Sequence, residues 1–359
     1  MDTFTSDHLH SFAAAVFQHF GLTPEDADLA ADVLVTADCR GVDSHGVARL
    51  WAYVRLFERN KVNPRPQVSV LRESASTAAI DGDGGLGLIV GPRANEIAMQ
   101  KAEAAGMGWV TVRNSSHYGI AGYYPLQALA RNLIGWSMTN ASPAVTPLWG
   151  AERNLSTNPL AVAFPAGDEP PIVIDMSTSV VPVGKVEAYR RRGQPLPAGW
   201  IVDADGHPSN RPEDYFDGGS LLPLGADRDH GGHKGYCLST LVDLLSGVLS
   251  GANWGPFVPT FVAGDESPSS VGKGVGHCFA AMRIDAFMDL EEYQQRVDHW
   301  IQTMRSTKPA PGTSGPLIPG DPERKSAVER RQTGIPLDDA VAEQLREIGE
   351  KIGIPFDRL

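Results

Sequence analysis

The chain has 359 residues, 42% hydrophobic and 21% charged, enough for one large or two smaller globular domains with a sizeable core. A formal net charge of −12 repels phosphate backbones and anionic lipid, which argues against nucleic acid and membrane partners and leaves room for a small anionic substrate in a local basic pocket. Three cysteines (Cys39, Cys237 and Cys278), odd in number and without CxxC spacing, fit a reducing, cytoplasmic setting, and the opening residues lack the basic-then-apolar pattern of a signal peptide.

In chain order, Ser6 is placed to cap a first helix with Phe12, Val16, Phe17 and Phe20 at helical spacing, ending at Gly21. Thr23-Pro24-Glu25-Asp26 opens a second helix: a capping hydroxyl, proline at the first helical position, then acids at the positive dipole end. It runs to Arg40, and a third helix starts at Asp43-Ser44 and carries Leu50, Tyr53, Val54 and Phe57. Strands follow at 77–80, 108–112, 134–138, 160–164 and 172–176, with a helix at 94–105 between the first two. A long helix at 236–247, a mobile glycine-serine loop at 264–276, a strand at 278–284, a helix at 290–304 and a last helix at 337–352 complete the reading.

Residues 82–87 match GxGxxG after a strand, the pattern of a Rossmann dinucleotide loop. Gly91-Pro92 should interrupt the helix the motif requires. The second strand ends at Arg113-Asn114 rather than an acid, and Glu103 falls inside the helix. The reading is a glycine-rich turn.

Three segments carry chemistry. In Asp43-Ser44-His45-Gly46-Val47-Ala48-Arg49, a histidine in a helix's first turn feels the dipole and a guanidinium four residues on, and both favour its neutral, proton-accepting form. Arg49 suits a bidentate grip on a carboxylate, so the pair fits oxidation of a 2-hydroxy acid; a plain cap and solvated face is the competing reading. Asn114-Ser115-Ser116-His117-Tyr118-Gly119 is a polar loop after a strand, where catalytic groups concentrate, although an isolated histidine is more often structural. Gly231-Gly232-His233-Lys234-Gly235 at a helix start has the parts of an anion site but no Walker frame. No metal-ligand spacing and no GxSxG elbow is present in the sequence.

Together, in this order, these segments resemble the malate/L-lactate dehydrogenase family of the non-Rossmann type, whose relatives include ureidoglycolate and sulfolactate dehydrogenases, diketogulonate reductase and piperideine-2-carboxylate reductase. The resemblance extends through Asp175-Met176-Ser177, Gly184-Lys185-Val186, Gly199-Trp200 and Pro319-Gly320-Asp321-Pro322-Glu323, over nearly the whole chain. It implies an α/β fold with a helical domain from both chain ends (1–75 and 305–359) and a strand-rich region (76–304). Within that region a mostly antiparallel NAD(P)-binding domain would span about 115–235. It implies a homodimer, NAD or NADP as cofactor, and hydride transfer to or from C2 of a small 2-hydroxy or 2-keto acid. Reduction of a cyclic imine carboxylate and a catalytically inactive ligand-binding relative are the alternatives. By resemblance His45 is the acid/base oriented by Ser44, His117 is the second candidate for proton transfer, and Arg49 is the carboxylate clamp. Asp175, Met176, Ser177, Lys234, Gly235, Gly320, Asp321 and Pro322 match cofactor-contacting positions, and no metal is expected. Cys237, where glycine is common, and Asp321, where glutamate is common, are departures that leave cofactor preference open.

Overall fold

The computed structural model describes residues 2–261 and 270–358. Strand β1 (Asp2–Phe4) leads into α1 (Ser6–His19), capped by Thr5, whose hydroxyl accepts the His8 N–H, rather than by Ser6. Helix α2 (Pro24–Cys39) starts at the expected signal, with the Thr23 hydroxyl accepting the Asp26 N–H at 3.2 Å. Leu9, Phe12, Val16 and Phe17 of α1 are fully buried, each such side chain contributing about 1.5–3 kcal/mol of hydrophobic stabilisation. The third helix differs from expectation. Asp43–His45 and Val47–Arg49 form two separate 3-10 turns, and α3 itself runs Leu50–Glu58. Neither Asp43 nor Ser44 caps it, because Asp43 is ion-paired with Arg330 instead.

After β2 (Ser69–Glu73) and β3 (Thr77–Asp81), α4 begins at Gly87 and continues unbroken through Gly91 and Pro92 to Ala105, before β4 (Met107–Ser115). The expected break at Gly91-Pro92 is absent. The segment is held by packing: Gly91 lies against Tyr124, where a Cβ would come within 2.7 Å of the ring. The Rossmann reading fails on other grounds. The first amide of α4, Gly87 N–H, already donates to Ser116 Oγ, and a Cβ at Gly87 would lie 2.3 Å from Ser116 O, so the chain itself covers this helix start.

Helix α5 (Tyr123–Leu129), β5 (Leu133–Thr139), β6 (Leu160–Phe164) and β7 (Ile172–Met176) follow. Then come α6 (Val183–Arg191), β8 (Ile201–Val202), β9 (Pro208–Ser209), α7 (Pro212–Phe216) and β10 (Ser220–Leu221). Helix α8 (Gly232–Asp243) passes directly into a π turn at Leu244–Val248. The chain ends with β11 (Val275–Arg283), α9 (Leu290–Arg305), α10 (Asp321–Thr333), β12 (Ile335–Leu337) and α11 (Asp339–Ile352). Residues 264–269 of the expected mobile loop lie outside the described residues. The adjoining stretch is pinned, since Asn253 Oδ1 accepts hydrogen bonds from Ser270 Oγ, Val271 N and Gly272 N.

The main sheet has seven strands in the order β2-β3-β4-β11-β5-β6-β7, and only the β3–β4 pair is parallel. This is a mixed α/β fold built on a mostly antiparallel sheet, not the parallel sheet of a Rossmann domain. Strand alternation divides its faces. On β11, Phe279 joins the large core shared with α1–α4, while Cys278 packs with Val242 of α8 and Met138 on the other face. A three-stranded sheet, β10-β8-β9, covers a second core of Val145, Val186, Ile201, Tyr215 and Leu221. The chain ends meet where β1 pairs with β12. No helix among the described residues is long and apolar enough to cross a membrane.

Candidate active site

The two 3-10 turns and the loop after β4 bring His45 and His117 together. Their half-buried rings stack with centroids 5.6 Å apart and an interplanar angle of 20°. Ser44 Oγ lies 2.9 Å from His45 Nδ1. His117 Nδ1 lies 2.7 Å from the Tyr53 hydroxyl and 3.3 Å from the Gly119 N–H. An amide N–H can only donate, so His117 Nδ1 is an acceptor, and the neutral ring must carry its hydrogen on Nε2. Phe261 also stacks on His117, with centroids 4.3 Å apart and an interplanar angle of 12°.

Burial, then the neighbouring Arg49 charge, lowers the His45 pKa to about 4. Burial, followed by His45 and Arg49, holds His117 well below the usual imidazole range. Both rings are therefore neutral at physiological pH. The expected direction for His45 stands. Desolvation, rather than a helix dipole, is the main cause, since no α-helix starts at that residue.

Arg49 donates through Nε to Ser44 O at 2.6 Å, which fixes the guanidinium near both histidines and leaves its two Nη groups without a hydrogen-bond partner among the described residues. No carboxylate of the described residues forms an ion pair with Arg49. Beside His117 opens a cavity of about 220 Å³ whose lining includes Arg55, Arg59 and Lys61 and, among the described residues, no acidic side chain.

The expected cofactor segments converge on the other flank. Val173 N–H donates to Pro319 O at 2.9 Å, setting Gly320 against β7 just ahead of Asp175, Met176 and Ser177. Leu224 N–H donates to Thr178 O, and Gly235 lies so close to Leu224 that a Cβ would come within 2.2 Å of its carbonyl. The start of α6 then returns to the histidines. An ideal Cβ on Gly184 would lie 3.8 Å from Ser44 Cβ, an ordinary van der Waals contact, so the start of α6 sits directly against the Ser44-His45 turn. Lys234 is exposed at the start of α8, a helix with no side-chain cap. Asp321 is committed to ion pairs with Arg305 and Arg324 and to the Ile318 N–H, so it can meet a ligand mainly through its backbone. Asp175 Oδ2 accepts the Gly122 N–H at 2.8 Å, tying β7 to the loop that carries His117.

Sequence reasoning missed Tyr53, Asp38, Phe261 and the third histidine, His277. Tyr53 was read as a core position, although its spacing of four from Arg49 puts both on one face. Asp38 sits in the last turn of α2 with no local mark of its use. His277, fully buried on β11, is bridged by Thr139 Oγ1 at 2.7 Å and Ser115 Oγ at 2.8 Å, and it fixes the strand end from which the His117 loop departs. Among the described residues no group of three or more His, Cys, Asp or Glu side chains is arranged to hold a metal.

Residues 4–346 match the malate/L-lactate dehydrogenase family. The chain belongs to that family. It is 44% identical to the malate dehydrogenase of Pyrococcus horikoshii over 97% of this chain and 95% of that one. The solved structure of that enzyme superposes with a TM-score of 0.89, covering 98% of this chain and 96% of the other. The L-sulfolactate dehydrogenase of Methanocaldococcus jannaschii is 37% identical over 95% of each chain. The Δ1-piperideine-2-carboxylate reductase of Pseudomonas syringae superposes with a TM-score of 0.84 at 27% identity, over 97% of this chain and all of that one. Family membership makes the chain an oxidoreductase of the 2-hydroxy acid dehydrogenase type.

Proposed function

We propose that this chain catalyses reversible hydride transfer between NAD or NADP and C2 of a small 2-hydroxy or 2-keto acid, with His45 as the acid/base. The observation that carries this is the Arg49 guanidinium, without a carboxylate partner among the described residues, held beside two neutral histidines. A partly buried cation of this kind calls for an anionic ligand, and the histidines supply the proton chemistry next to it. The basic lining at Arg55, Arg59 and Lys61 supports a small anion, including one with a second charge.

In the oxidising direction the Arg49 Nη groups grip the C1 carboxylate, a bidentate geometry that fixes C2. His117, hydrogenated on Nε2, donates a hydrogen bond to the C2 oxygen. With Ser44 Oγ accepting the Nδ1–H of His45, the free Nε2 of His45 takes the hydroxyl proton. A bound nicotinamide would supply the acceptor for the hydride that leaves C2. Backbone at Asp175, Met176 and Ser177, at Gly235, and at Gly320, Asp321 and Pro322 would hold the cofactor, with Lys234 meeting its phosphate charge. The exposed Lys234 at the start of α8 and the close approach of Gly320 to β7 fit such a group.

On the same reading the chain divides into a helical domain from both ends and a cofactor-binding central region, and the enzyme works in the cytoplasm as a homodimer. An apolar row on α8 and the π turn, Leu241, Leu244 and Val248, each about half exposed, supports a covered face there. The structural likeness to a piperideine carboxylate reductase favours one second reading, in which His45 protonates an imine nitrogen after the same carboxylate grip. A panel of 2-keto acids and cyclic imine carboxylates, each with NADH and NADPH, separates the two. Turnover of keto acids supports the main reading, and turnover of imines alone replaces it.

A further inference from the structure

The carboxyl group of Asp38, in the last turn of α2, is wedged into the joint between the two 3-10 turns that carry His45 and Arg49. Asp38 is 1% exposed. Its Oδ2 accepts the Val47 N–H at 2.8 Å, the first amide of the second turn. Its Oδ1 occupies the space where a side chain at Gly46 would project: an ideal Cβ there would lie 1.8 Å away, an impossible contact. Gly46 is the residue between the turns, so carboxyl and glycine interlock at the one point where the angle between the turns is set. Arg330 clamps the same corner from α10, donating to Asp38 O at 2.5 Å and pairing with Asp43.

Burying a carboxyl costs free energy, and among the described residues no cation forms an ion pair with this one. A small apolar residue would fill the place without that cost. What an apolar residue cannot do is hold the Val47 N–H and so fix where the second turn starts. His45 precedes the joint and Arg49 follows it, and the Arg49 Nε bond to Ser44 O is the other side-chain tie across it.

We propose that Asp38 is a positioning residue for the reaction, setting through Val47 and Gly46 the spacing between the His45 ring and the Arg49 guanidinium. The proposal rests on the roles given above to those two residues. Asp38 touches no substrate and acts only through the turns. Errors of a fraction of an ångström between a proton acceptor and a carboxylate grip are costly in such a site, because reaction needs both groups aligned on one small molecule.

Three variants test this. Asp38→Asn keeps the shape and an oxygen for Val47. Asp38→Ala removes both. Asp38→Ala combined with Gly46→Ala lets the methyl introduced at position 46 refill the vacated space, so that folding is retained without the hydrogen bond. Turnover of the best 2-keto acid, NADH titration, melting temperature and the His45 ring resonances are measured on each.

The expected result is at least a tenfold loss of kcat/KM in both alanine variants, with NADH binding within twofold of the parent and a shifted His45 resonance. Asp38→Asn should recover to within about threefold. A double variant that melts like the parent and turns over like it overturns the proposal, and so does an Asp38→Asn variant as impaired as Asp38→Ala. If His45→Ala and Arg49→Lys both leave turnover intact, the functional reading fails instead. The His45 resonance then still decides: moved in Asp38→Ala, the positioning stands; unmoved, it falls.

Discussion

The Tyr53 hydroxyl and His117 Nδ1 lie 2.7 Å apart, and the bond has a direction, because the Gly119 N–H reaches the same nitrogen and can only donate. Tyr53 therefore donates too. Burial keeps its phenol protonated, pushing its pKa above the usual range. The pair fixes His117 in the tautomer that presents Nε2–H toward a bound oxygen, a donor rather than a base.

Tyr53→Phe removes that donor with little change in shape. A neutral hydrogen bond is worth about 0.5–1.5 kcal/mol, roughly two- to tenfold in rate. The expected result is a kcat reduced within that range and an unchanged KM for the acid, read by steady-state kinetics. A complete loss of turnover would instead make Tyr53 a proton donor in the reaction.

Arg49→Lys keeps the charge and loses the paired planar hydrogen bonds. The KM for a 2-keto acid should rise strongly while some turnover remains, the loss being on the order of 1.5–3 kcal/mol for bonds to a charged partner. Lys234→Ala should show the complementary pattern, weaker NADH and NADPH binding with near-parent turnover at saturation. A Lys234 variant that titrates both cofactors as tightly as the parent would place that lysine outside the cofactor site.

Stability should peak in the window between the depressed histidines and Asp38, which burial raises above Asp175, itself raised to about 6; burial also raises Asp243. His45 is lowered to about 4, His277 to about 3 by burial, and His117 well below its usual value. Between those values and about 6.5 the unfolded chain binds more protons, so stability falls as pH drops through this range. Burial raises Asp38 to about 8, so its folded form binds more protons above pH 4 and its contribution is lost as pH rises toward 8. Melting temperature should therefore be highest at about pH 6–7. Asp38→Asn should flatten the alkaline side and steepen the rise on the acid side between about pH 4 and 6.5, and an alkaline slope that is unchanged in that variant contradicts the assignment.

Much of the fold was legible because its signals are local. Thr23-Pro24 opens α2 where expected, and the apolar runs of β4 to β7 are strands within a residue or two at most ends. Helix α10 was missed because it is almost wholly polar and buries no residue, leaving no periodic stripe to read. Leu337 reads from sequence as the first residue of the last helix, and it instead ends a strand at Ile335–Leu337 because β1, more than three hundred residues away, pairs with it. In the site, the Ser44-His45-Arg49 and His117 motifs stand out as sequence. Their support does not, since Asp38, Tyr53 and His277 act through contacts made only in the folded chain.

The pH dependence of turnover follows from the same burial. An unperturbed imidazole would place a titrating limb at about 6.5, whereas burial, then Arg49, lowers His45 to about 4. The acidic limb of 2-hydroxy acid oxidation by the free enzyme should accordingly lie well below about 6.5, and it should be missing from the residual rate of His45→Ala. That variant should lose roughly 10²–10⁴-fold in kcat and still bind NADH. Near-parent turnover in His45→Ala, with none in His117→Ala, would reverse the two roles.

The central claim is hydride transfer to C2 of a carboxylate-bearing substrate, and isotope transfer tests it most directly. The chain is supplied with nicotinamide cofactor deuterated at C4 on the transferring face and with oxaloacetate, and the product is examined by mass spectrometry and NMR. The expected product is malate carrying a single deuterium at C2, formed in step with cofactor oxidation and strongly reduced in the Arg49→Lys variant at low substrate concentration. Cofactor oxidation without deuterium at C2, or no transfer to any 2-keto acid with either cofactor, would contradict it.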